Sequence, residues 1–358
     1  MIGTALVVRP DNAGDVLLAG PAVRAVAAGA REVVMLAGPH GRAAAELLPG
    51  VDRVLEWRAP WIDPEPVPMT SEHAARLVEQ VRAVGPDVAV IFTSFHQSAL
   101  PTALLLRLAG VPRIAAISED YPGSLLDVRH VVDERVDVPE PERMLGLARA
   151  AGFDLPPGDD GRLAVRGPLP DVEHLTGPPG YVVVHPGTTA PARAWPAERW
   201  AEAVEALLAA GERVVVTGSP GERALTALVS GPALGPGFPL GPGFPLDLGG
   251  ATTFAELAAV LAGASVVVAA NTGPAHLAAA VGTPVVSLFA PVVPAARWAP
   301  YGVPTVVLGD QGAPCRGSRA RICPLPGHPC LTSVGGEKVV DAVRRLIPAE
   351  EAVKERVP

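Results

Sequence analysis

The fold is decided by residues 264–291, which read ASVVVAANTGPAHLAAAVGTPVVSLFAP. Residues 266–269 of this stretch are an uninterrupted apolar run rich in β-branched side chains, and residues 285–289 are apolar except for Ser287. Such runs are typical of strands that a parallel sheet buries on both faces. Pro274 fits the first turn of a helix between the two strands, where a missing N–H group costs nothing, and Gly282 is a residue at which such a helix can end. The stretch therefore predicts a strand–helix–strand unit of an α/β fold.

The turn between the first of these strands and the helix predicts an anion site. Asn271 and Thr272 can both cap the helix. In such a unit the helix starts at the carboxyl edge of the sheet, so the N–H groups of Thr272, Gly273 and His276 should face a crevice, together with the positive end of the helix dipole. We therefore expect a phosphate group to bind here. His276 has a second interpretation, as a buried side chain that bonds a backbone carbonyl.

The same alternation of apolar runs and helical patterns extends through the chain. Further strands are predicted at residues 4–9, 32–37, 51–57, 87–92, 113–117, 129–132, 181–185, 213–217, 246–248 and 305–308. Helical spacing at residues 16–28 predicts a helix soon after the first strand. A tandem duplication, GPGFPL at 235–240 and again at 241–246, is predicted to be a surface loop.

A segment rich in proline and glycine separates two halves of similar pattern. Strands alternating with helices in each half indicate the α/β fold class, with one doubly wound sheet per half. The predicted organisation is one domain at residues 1–158, a linker at 159–180, a second domain at 181–335 and a C-terminal segment at 336–358. We expect the two domains to face each other across a cleft, with the ligand where their carboxyl edges meet.

The composition fits a protein of this class. The chain has 358 residues, of which 49% are hydrophobic and only 4% aromatic, so small aliphatic side chains do the packing. Its formal net charge of −8 argues against a general nucleic-acid binder. The sequence shows neither a signal peptide nor an apolar run long enough to span a membrane, and its 3 Cys form no disulfide framework. These features predict a cytoplasmic protein.

Polar residues follow the predicted strand ends of both halves, at residues 14–15, 185–189, 217–222 and 271–276. In the first half, Asp15 follows Gly14, which lets a ligand approach the backbone. Asp15 is either the N-cap of a helix or a carboxylate that faces the crevice as a base.

Two further residues are candidates for contacts with a second substrate. His96 follows a predicted strand and is either such a contact or a structural histidine. Trp61 lies in an irregular loop with Trp57, and the pair forms either a binding platform or a lid over the core.

Several familiar site patterns are absent from the sequence. No G-x-G-x-x-G follows the first strand, and neither a P-loop nor a G-x-S-x-G elbow is present. Cys315, Cys323, His328 and Cys330 do not have the spacing of paired zinc knuckles. We predict no metal site and interpret this segment as a structural loop.

Four blocks carry a resemblance to a known family: RPDNAGDVLLAGPAVRAV at 9–26, HPGTTAPARAWPAERW at 185–200, VVVTGSPGE at 214–222 and NTGPAHLAAAVGTPVVSLFAP at 271–291. In this order and spacing they resemble glycosyltransferase family 9, the ADP-heptose:lipopolysaccharide heptosyltransferase family. The resemblance implies a GT-B fold of two Rossmann-like domains. The first would bind the acceptor and the second the nucleotide sugar, and the last helix would pack back on the first domain.

The resemblance also implies an inverting, metal-independent transfer from an ADP-sugar, which is a co-substrate rather than a cofactor. Asp15 would be the general base for the acceptor hydroxyl, and Arg193, where the family often has Lys, would neutralise the departing diphosphate. The remaining donor contacts would come from Gly14, Thr188, Thr189, Gly218, Glu222, Asn271, Thr272, Gly273 and His276, with Glu222 holding the ribose. The acceptor would be a glycan, a glycolipid or a small molecule, with peripheral membrane contact if it is a lipid.

The chain departs from the family pattern at Asn271, where the family usually has Asp, and at Ala290, where it commonly has Gly. The loss of a carboxylate at Asn271 leaves the identity of the sugar open. Two alternative interpretations are therefore kept. The protein is a sugar-nucleotide-binding protein without catalysis, or it is a GT-B epimerase or nucleotide-sugar hydrolase.

Overall fold

The computed structural model describes residues 2–237 and 243–347. The chain divides into two compact units, Met1–Arg166 and Gly167–Pro358, and the boundary falls inside the segment predicted as a linker. Each unit contains one six-stranded parallel sheet. The sequence-based prediction of an α/β fold with one doubly wound sheet in each half is confirmed.

The first unit has strands in the order β3-β2-β1-β4-β5-β6. The strands are β1 (Ile2–Arg9), β2 (Ala30–Ala37), β3 (Arg53–Glu56), β4 (Val88–Ile91), β5 (Ile114–Ile117) and β6 (Val128–His130). The helices are α1 (Ala13–Leu18), α2 (Gly20–Gly29), α3 (Arg42–Leu47), α4 (Ser71–Val84), α5 (Leu100–Leu108) and α6 (Glu140–Ala150).

The second unit repeats this arrangement with the order β12-β11-β10-β7-β8-β9. The strands are β7 (Tyr181–His185), β8 (Val214–Gly218), β9 (Leu246–Gly249), β10 (Ala264–Ala270), β11 (Val285–Leu288) and β12 (Thr305–Leu308). The helices are α7 (Glu173–Thr176), α8 (Ala197–Ala209), α9 (Arg223–Ser230), α10 (Phe254–Ala262), α11 (Gly273–Ala280), α12 (Ala295–Trp298), α13 (Pro329–Thr332) and α14 (Gly336–Leu346).

Each sheet has a point where its direction of growth reverses. In the first unit β2 and β3 lie on one side of β1, and β4, β5 and β6 lie on the other. In the second unit β8 and β9 lie on one side of β7, and β10, β11 and β12 lie on the other. At such a switch point the helices leave the carboxyl ends of the two central strands in opposite directions and open a crevice. Any ligand site of either unit is therefore expected beside β1 and β4, or beside β7 and β10.

The central strands are buried because they carry apolar side chains on both faces. Val182, Val183 and Val184 of β7 are fully buried, as are Val267 and Val268 of β10. Each unit has a hydrophobic cluster of its own on one side of its sheet. This packing explains why uninterrupted apolar runs, rather than alternating ones, identified the strands.

The prediction of a single helix at residues 16–28 is wrong, because two helices occupy this segment. α1 ends at Leu18, and α2 begins at Gly20 with Pro21 in its first turn. Proline has no N–H for a helical hydrogen bond and clashes with the preceding turn, so an uninterrupted helix would be strained here. Helix α1 is consequently short.

The C-terminal helix α14 packs along α8 and against β10, β11 and β12 of the second unit. Residues 348–358 of the predicted C-terminal segment and residues 238–242 of the GPGFPL duplication lie outside the described residues. None of the helices in the described part of the chain is long and apolar enough to cross a membrane.

Candidate functional site

At the switch point of the first sheet, Asp15 lies close to the carboxyl end of β1. Helix α1 has Asn12 as its N-cap and Asp15 as its third residue, so the interpretation of Asp15 as a helix cap is wrong. The side chain of Asp15 is 25% exposed. The carboxylate is therefore held by the protein but open to a ligand.

Arg9, the last residue of β1, holds the Asp15 carboxylate. Its guanidinium is fully buried, and Nη2 donates to Asp15 Oδ1 at 3.1 Å and to Ser94 Oγ at 2.9 Å. Burial alone lowers the pKa of Arg9, but the carboxylates of Asp11, Asp15 and Glu140 outweigh it and raise this pKa above its ordinary value. Arg9 is thus a permanent buried cation shared among carboxylates.

Asp11 is a second carboxylate on this cation. Its Oδ2 lies 3.4 Å from Arg9 Nε, and its Oδ1 accepts a hydrogen bond of 2.7 Å from Gln97 Nε2. Burial raises the pKa of Asp11 to about 6, with Arg9 acting in the opposite direction and Asp15 adding to the rise. Asp11 therefore changes charge close to neutral pH.

Arg9, Asp11, Ser94 and Gln97 are site residues that the sequence did not predict. The sequence did contain one signal for Arg9. An Arg at the end of an otherwise apolar strand needs polar or charged partners at the edge of the sheet. Its link to Ser94 spans 85 positions of the chain and could not be read from spacing.

A cavity of about 220 Å³ opens beside the carboxyl ends of β4 and β5. It is lined by Phe95, His96, Gln97, Ser98, Ile117, Ser118, Glu119, Asp120, Glu134 and Arg143. His96 is exposed and packs edge-on to Phe95 with ring centroids 5.3 Å apart, so it is not a buried structural histidine. Its assignment as an acceptor contact stays a prediction.

The two tryptophans of the first unit form a packed group, and only Trp61 keeps partial exposure. Trp57 is 5% exposed, donates from Nε1 to the carbonyl of His73 at 3.1 Å and stacks on the His73 ring. Trp61 lies 5.5 Å from Trp57 between ring centroids and packs on the core. These contacts favour the interpretation of the pair as a lid over the core.

In the second unit, three neighbouring strands, β10, β7 and β8, end beside predicted donor residues. His185, the last residue of β7, is buried, and its Nδ1 lies 3.0 Å from Thr217 Oγ1. Burial lowers the pKa of His185 to about 4, although the charge of Glu222 acts to raise it. The imidazole is therefore neutral at neutral pH and serves as a hydrogen-bonding group.

Glu222 is fixed against the backbone that follows β7. Its Oε2 accepts from Ser219 N at 2.8 Å and from Ser219 Oγ at 2.9 Å, as part of a capping box. A Cβ atom on Gly187 would collide with the Glu222 carboxylate, and one on Gly218 would collide with Thr226. Gly187 thus makes room for the Glu222 carboxylate at the carboxyl edge, and Glu222 is half-buried there.

The residues predicted to bind a phosphate at the end of β10 lie in the turn before α11 and in its first turns. Asn271 is 3% exposed, and its Nδ2 has no hydrogen-bond partner among the described residues. Thr272 is the N-cap of α11, but its side chain makes no capping bond, so the expected side-chain cap is not formed. Gly273 is the first helical residue, and His276 is buried in the first turns. This turn offers donors to an anion.

The remaining predicted donor residues lie in the loop after β7. Thr188 is half-buried, and its Oγ1 accepts from the N–H of Ala190 at 3.4 Å, whereas Thr189 is exposed. Arg193 is half-buried at the end of a short 3-10 helix, Pro191–Arg193. All three residues follow β7 closely in the sequence. Their contacts with a diphosphate stay predictions.

The three cysteines are free thiols close to α13. Cys315 and Cys330 are buried, and burial, with the neighbouring Cys315 and Cys323 thiols, raises the pKa of Cys330 to about 11. Within residues 2–237 and 243–347, no three His, Cys, Asp or Glu side chains are placed to hold a metal ion. The thiols pack as part of the second core.

Comparison with known proteins agrees with this architecture. Lipopolysaccharide heptosyltransferase 3 of Escherichia coli is 28% identical over 223 residues, an alignment that covers 62% of this chain and 61% of that relative. The structure of E. coli ADP-heptose lps heptosyltransferase II matches with a TM-score of 0.72 at 21% identity, covering 97% of this chain and 99% of that one. A family 9 glycosyltransferase from Veillonella parvula matches with a TM-score of 0.71 at 16% identity, covering 96% and 97% of the two chains. At these identities the structural likeness shows the GT-B fold alone.

The family model for glycosyltransferase family 9 (heptosyltransferase) matches residues 74–327, well over half of the chain. The match spans more than half of the first unit, from α4 onwards, and most of the second unit, including β7, β8 and β10. This chain therefore belongs to glycosyltransferase family 9.

Proposed function

We propose that this protein transfers a heptose or a related sugar from an ADP-sugar to an acceptor hydroxyl, with inversion at the anomeric carbon and without a metal ion. The observation that carries the proposal is the partly exposed Asp15 carboxylate on a fully buried Arg9 at the switch point of the first sheet. A carboxylate fixed in this way, yet open to a ligand, can accept the proton of an attacking hydroxyl.

The second unit supports the donor half of the reaction. The turn before α11 would bind the diphosphate through the N–H groups of Thr272, Gly273 and His276, and Arg193 would add a fixed positive charge. Such donors stabilise the negative charge that develops on the leaving diphosphate, which is the task a metal ion performs in other enzymes. Glu222 would accept hydrogen bonds from the ribose hydroxyls.

The first test is thermal unfolding with ADP, UDP, GDP, CDP and NAD in the presence of EDTA. A nucleotide at about 100 times its dissociation constant adds about 2.7 kcal/mol to the free energy of unfolding and raises the melting temperature. We expect ADP to stabilise the protein and the other nucleotides not to do so. A preference for UDP or GDP, or a need for magnesium, would contradict the proposed donor or the metal-free site.

The second test separates transfer from the alternative functions. A transferase leaves the ADP-sugar largely intact without an acceptor, whereas a hydrolase or an epimerase converts it. Proton NMR of the reaction with a panel of hydroxyl acceptors follows the anomeric configuration of the product directly. ADP binding without turnover for any acceptor would instead favour a binding protein, which the replacement of the family Asp by Asn271 allows.

The contact between Gly187 and Glu222 gives a prediction for nucleotide binding. Gly187→Ala pushes the Glu222 carboxylate out of its place, because a Cβ atom there has no room. We expect the dissociation constant of ADP, measured by calorimetry, to rise about 10- to 100-fold, since a hydrogen bond to a charged group contributes about 1.5–3 kcal/mol.

A double-mutant cycle with Glu222→Ala provides the control for this prediction. Gly187→Ala should change the affinity by less than about twofold in the Glu222→Ala background, because the displaced group is already gone. Gly221→Ala is the matched substitution, since a Cβ atom at Gly221 meets only Ser219 Oγ at 4.0 Å. Equal losses in both backgrounds would show that Gly187 acts independently of Glu222.

A further inference from the structure

A continuous line of contacts connects the cavity of the first unit with the proposed base. Gln97 lines the cavity, and its Nε2 donates to Asp11 Oδ1 at 2.7 Å. Asp11 Oδ2 lies 3.4 Å from Arg9 Nε, and Arg9 Nη2 lies 3.1 Å from Asp15 Oδ1. The Oε1 atom of Gln97 also accepts from the Ser94 N–H at 2.8 Å, which ties the loop after β4 to the same group.

Arg9 is the residue in this line of contacts that pairs with both Asp11 and Asp15. Its guanidinium is fully buried, so water screens its attraction to Asp11, which is 8% exposed, less than its attraction to Asp15, which is 25% exposed. A carboxylate that a cation neutralises strongly is a weaker base. The strength of Asp15 as a base therefore depends on how much of Arg9 is engaged by Asp11.

We propose that Asp11 and Gln97 are positioning residues for sugar transfer. Asp11 draws Arg9 towards itself, so that Asp15 keeps enough basicity to take the acceptor proton. Gln97 holds Asp11 in this position from the loop that lines the cavity. This inference rests on the proposed function, since it assigns Asp15 as the base.

Two charged residues and one neutral hydrogen-bond donor act on Asp11 directly. Arg9 on β1 attracts it, Asp15 on α1 repels it, and Gln97 in the loop after β4 donates to it. Glu140 on α6 acts on Arg9 rather than on Asp11, and its Oε2 lies 3.7 Å from Arg143 Nη1. The loop before α3 approaches through Gly41, which brings no charge.

The sign of the expected pH dependence follows from this arrangement. The pKa of Asp11 is raised to about 6, so Asp11 is ionised above this pH and neutral below it. When Asp11 becomes neutral, Arg9 is left with Asp15 and Glu140, and its stronger attraction for the Asp15 carboxylate opposes proton uptake. Transfer should therefore fall as the pH drops through about 6.

The decisive variant is Asp11→Asn, which mimics the neutral form at every pH. We expect kcat at pH 7.5 to fall about tenfold, a fraction of the roughly 100- to 10,000-fold that a general base contributes in total. The inflection of kcat near pH 6 should disappear, while KM for the ADP-sugar and for the acceptor should stay within about twofold. A merely structural role of Asp11 would lower the melting temperature and leave the pH profile of kcat unchanged.

Gln97→Leu is a second variant that keeps the inference falsifiable if Asp11→Asn does not fold. Gln97 stabilises the ionised form of Asp11, so its loss should move the inflection of kcat to higher pH. Asp159→Asn is the matched control in the same unit, because Asp159 is a partly buried carboxylate that pairs with Arg24 at 2.6 Å. This control should leave the pH profile of kcat as in the wild type.

The outcomes separate the inference from the proposed function. If the wild type transfers sugar but Asp11→Asn and Gln97→Leu keep its pH profile, the positioning role is overturned and the transferase stands. If the wild type transfers no sugar from any ADP-sugar, both are overturned. Loss of the inflection in Asp11→Asn together with its upward shift in Gln97→Leu supports the inference.

Discussion

Asp15→Asn should lower kcat for sugar transfer by about 100- to 10,000-fold, the range that a general base contributes. The amide has nearly the same shape as the carboxylate and can still accept a hydrogen bond from Arg9 Nη2, which lies 3.1 Å from Asp15 Oδ1. What it loses is the capacity to take up the acceptor proton. The loss should appear in kcat under saturating substrates, measured by ADP release and by product formation.

Two controls make this result specific for the base. The dissociation constant of ADP should stay within about twofold of the wild type, because Asp15 belongs to the first unit and the proposed nucleotide site to the second. Asp159→Asn, a carboxylate-to-amide change elsewhere in the first unit, should keep wild-type kcat. Turnover of Asp15→Asn within about threefold of the wild type would assign the base to another residue.

Acidification from pH 6.5 to pH 4 should remove about 3 kcal/mol from the stability of the second unit through His185 alone. The pKa of His185 is lowered to about 4 in the folded protein from an ordinary value of 6.5, because burial disfavours the imidazolium. Between these values the unfolded chain binds the proton and the folded chain does not. The stabilisation is therefore complete above pH 6.5 and is lost as the pH falls towards 4, at about 1.4 kcal/mol per pKa unit.

Hydrogen exchange of the β7 amides, followed between pH 4 and pH 7.5, measures the free energy of opening of the second unit by itself. His185→Gln can keep a hydrogen bond to Thr217 and should remove this part of the pH dependence. His174→Gln is the matched control, because His174 is an exposed histidine of the same unit. The same pH dependence in wild type and His185→Gln would show that His185 does not carry it.

The strands of this protein were predictable because parallel sheets leave a strong pattern in the sequence. Residues 266–269 are apolar throughout, and residues 285–289 are apolar except for Ser287, since β10 and β11 are buried on both faces. The break between α1 and α2 was missed because Pro21 suits both a helix start and a strained helix interior. Local pattern alone does not decide between these two.

The site was predictable where it follows strand ends and unpredictable where it depends on distant contacts. Asp15, Glu222 and Asn271 all follow strands, so topology placed each of them at a carboxyl edge. The Arg9 network could not be found in this way, because Ser94 and Gln97 meet Arg9 and Asp11 only after β4 pairs with β1. The contact between Glu222 and Gly187 likewise depends on how β7 and β8 lie side by side.

The separate cores of the two units have a consequence for synthesis of the chain. Every strand of the first sheet lies before Arg166, and so do all the side chains of that unit's hydrophobic cluster. At about 5–20 residues per second, the ribosome needs roughly 10–40 s more to make the second unit. We expect the nascent first unit to fold during this interval, so that Arg9 meets Asp11 and Asp15 before the second sheet has been completely translated.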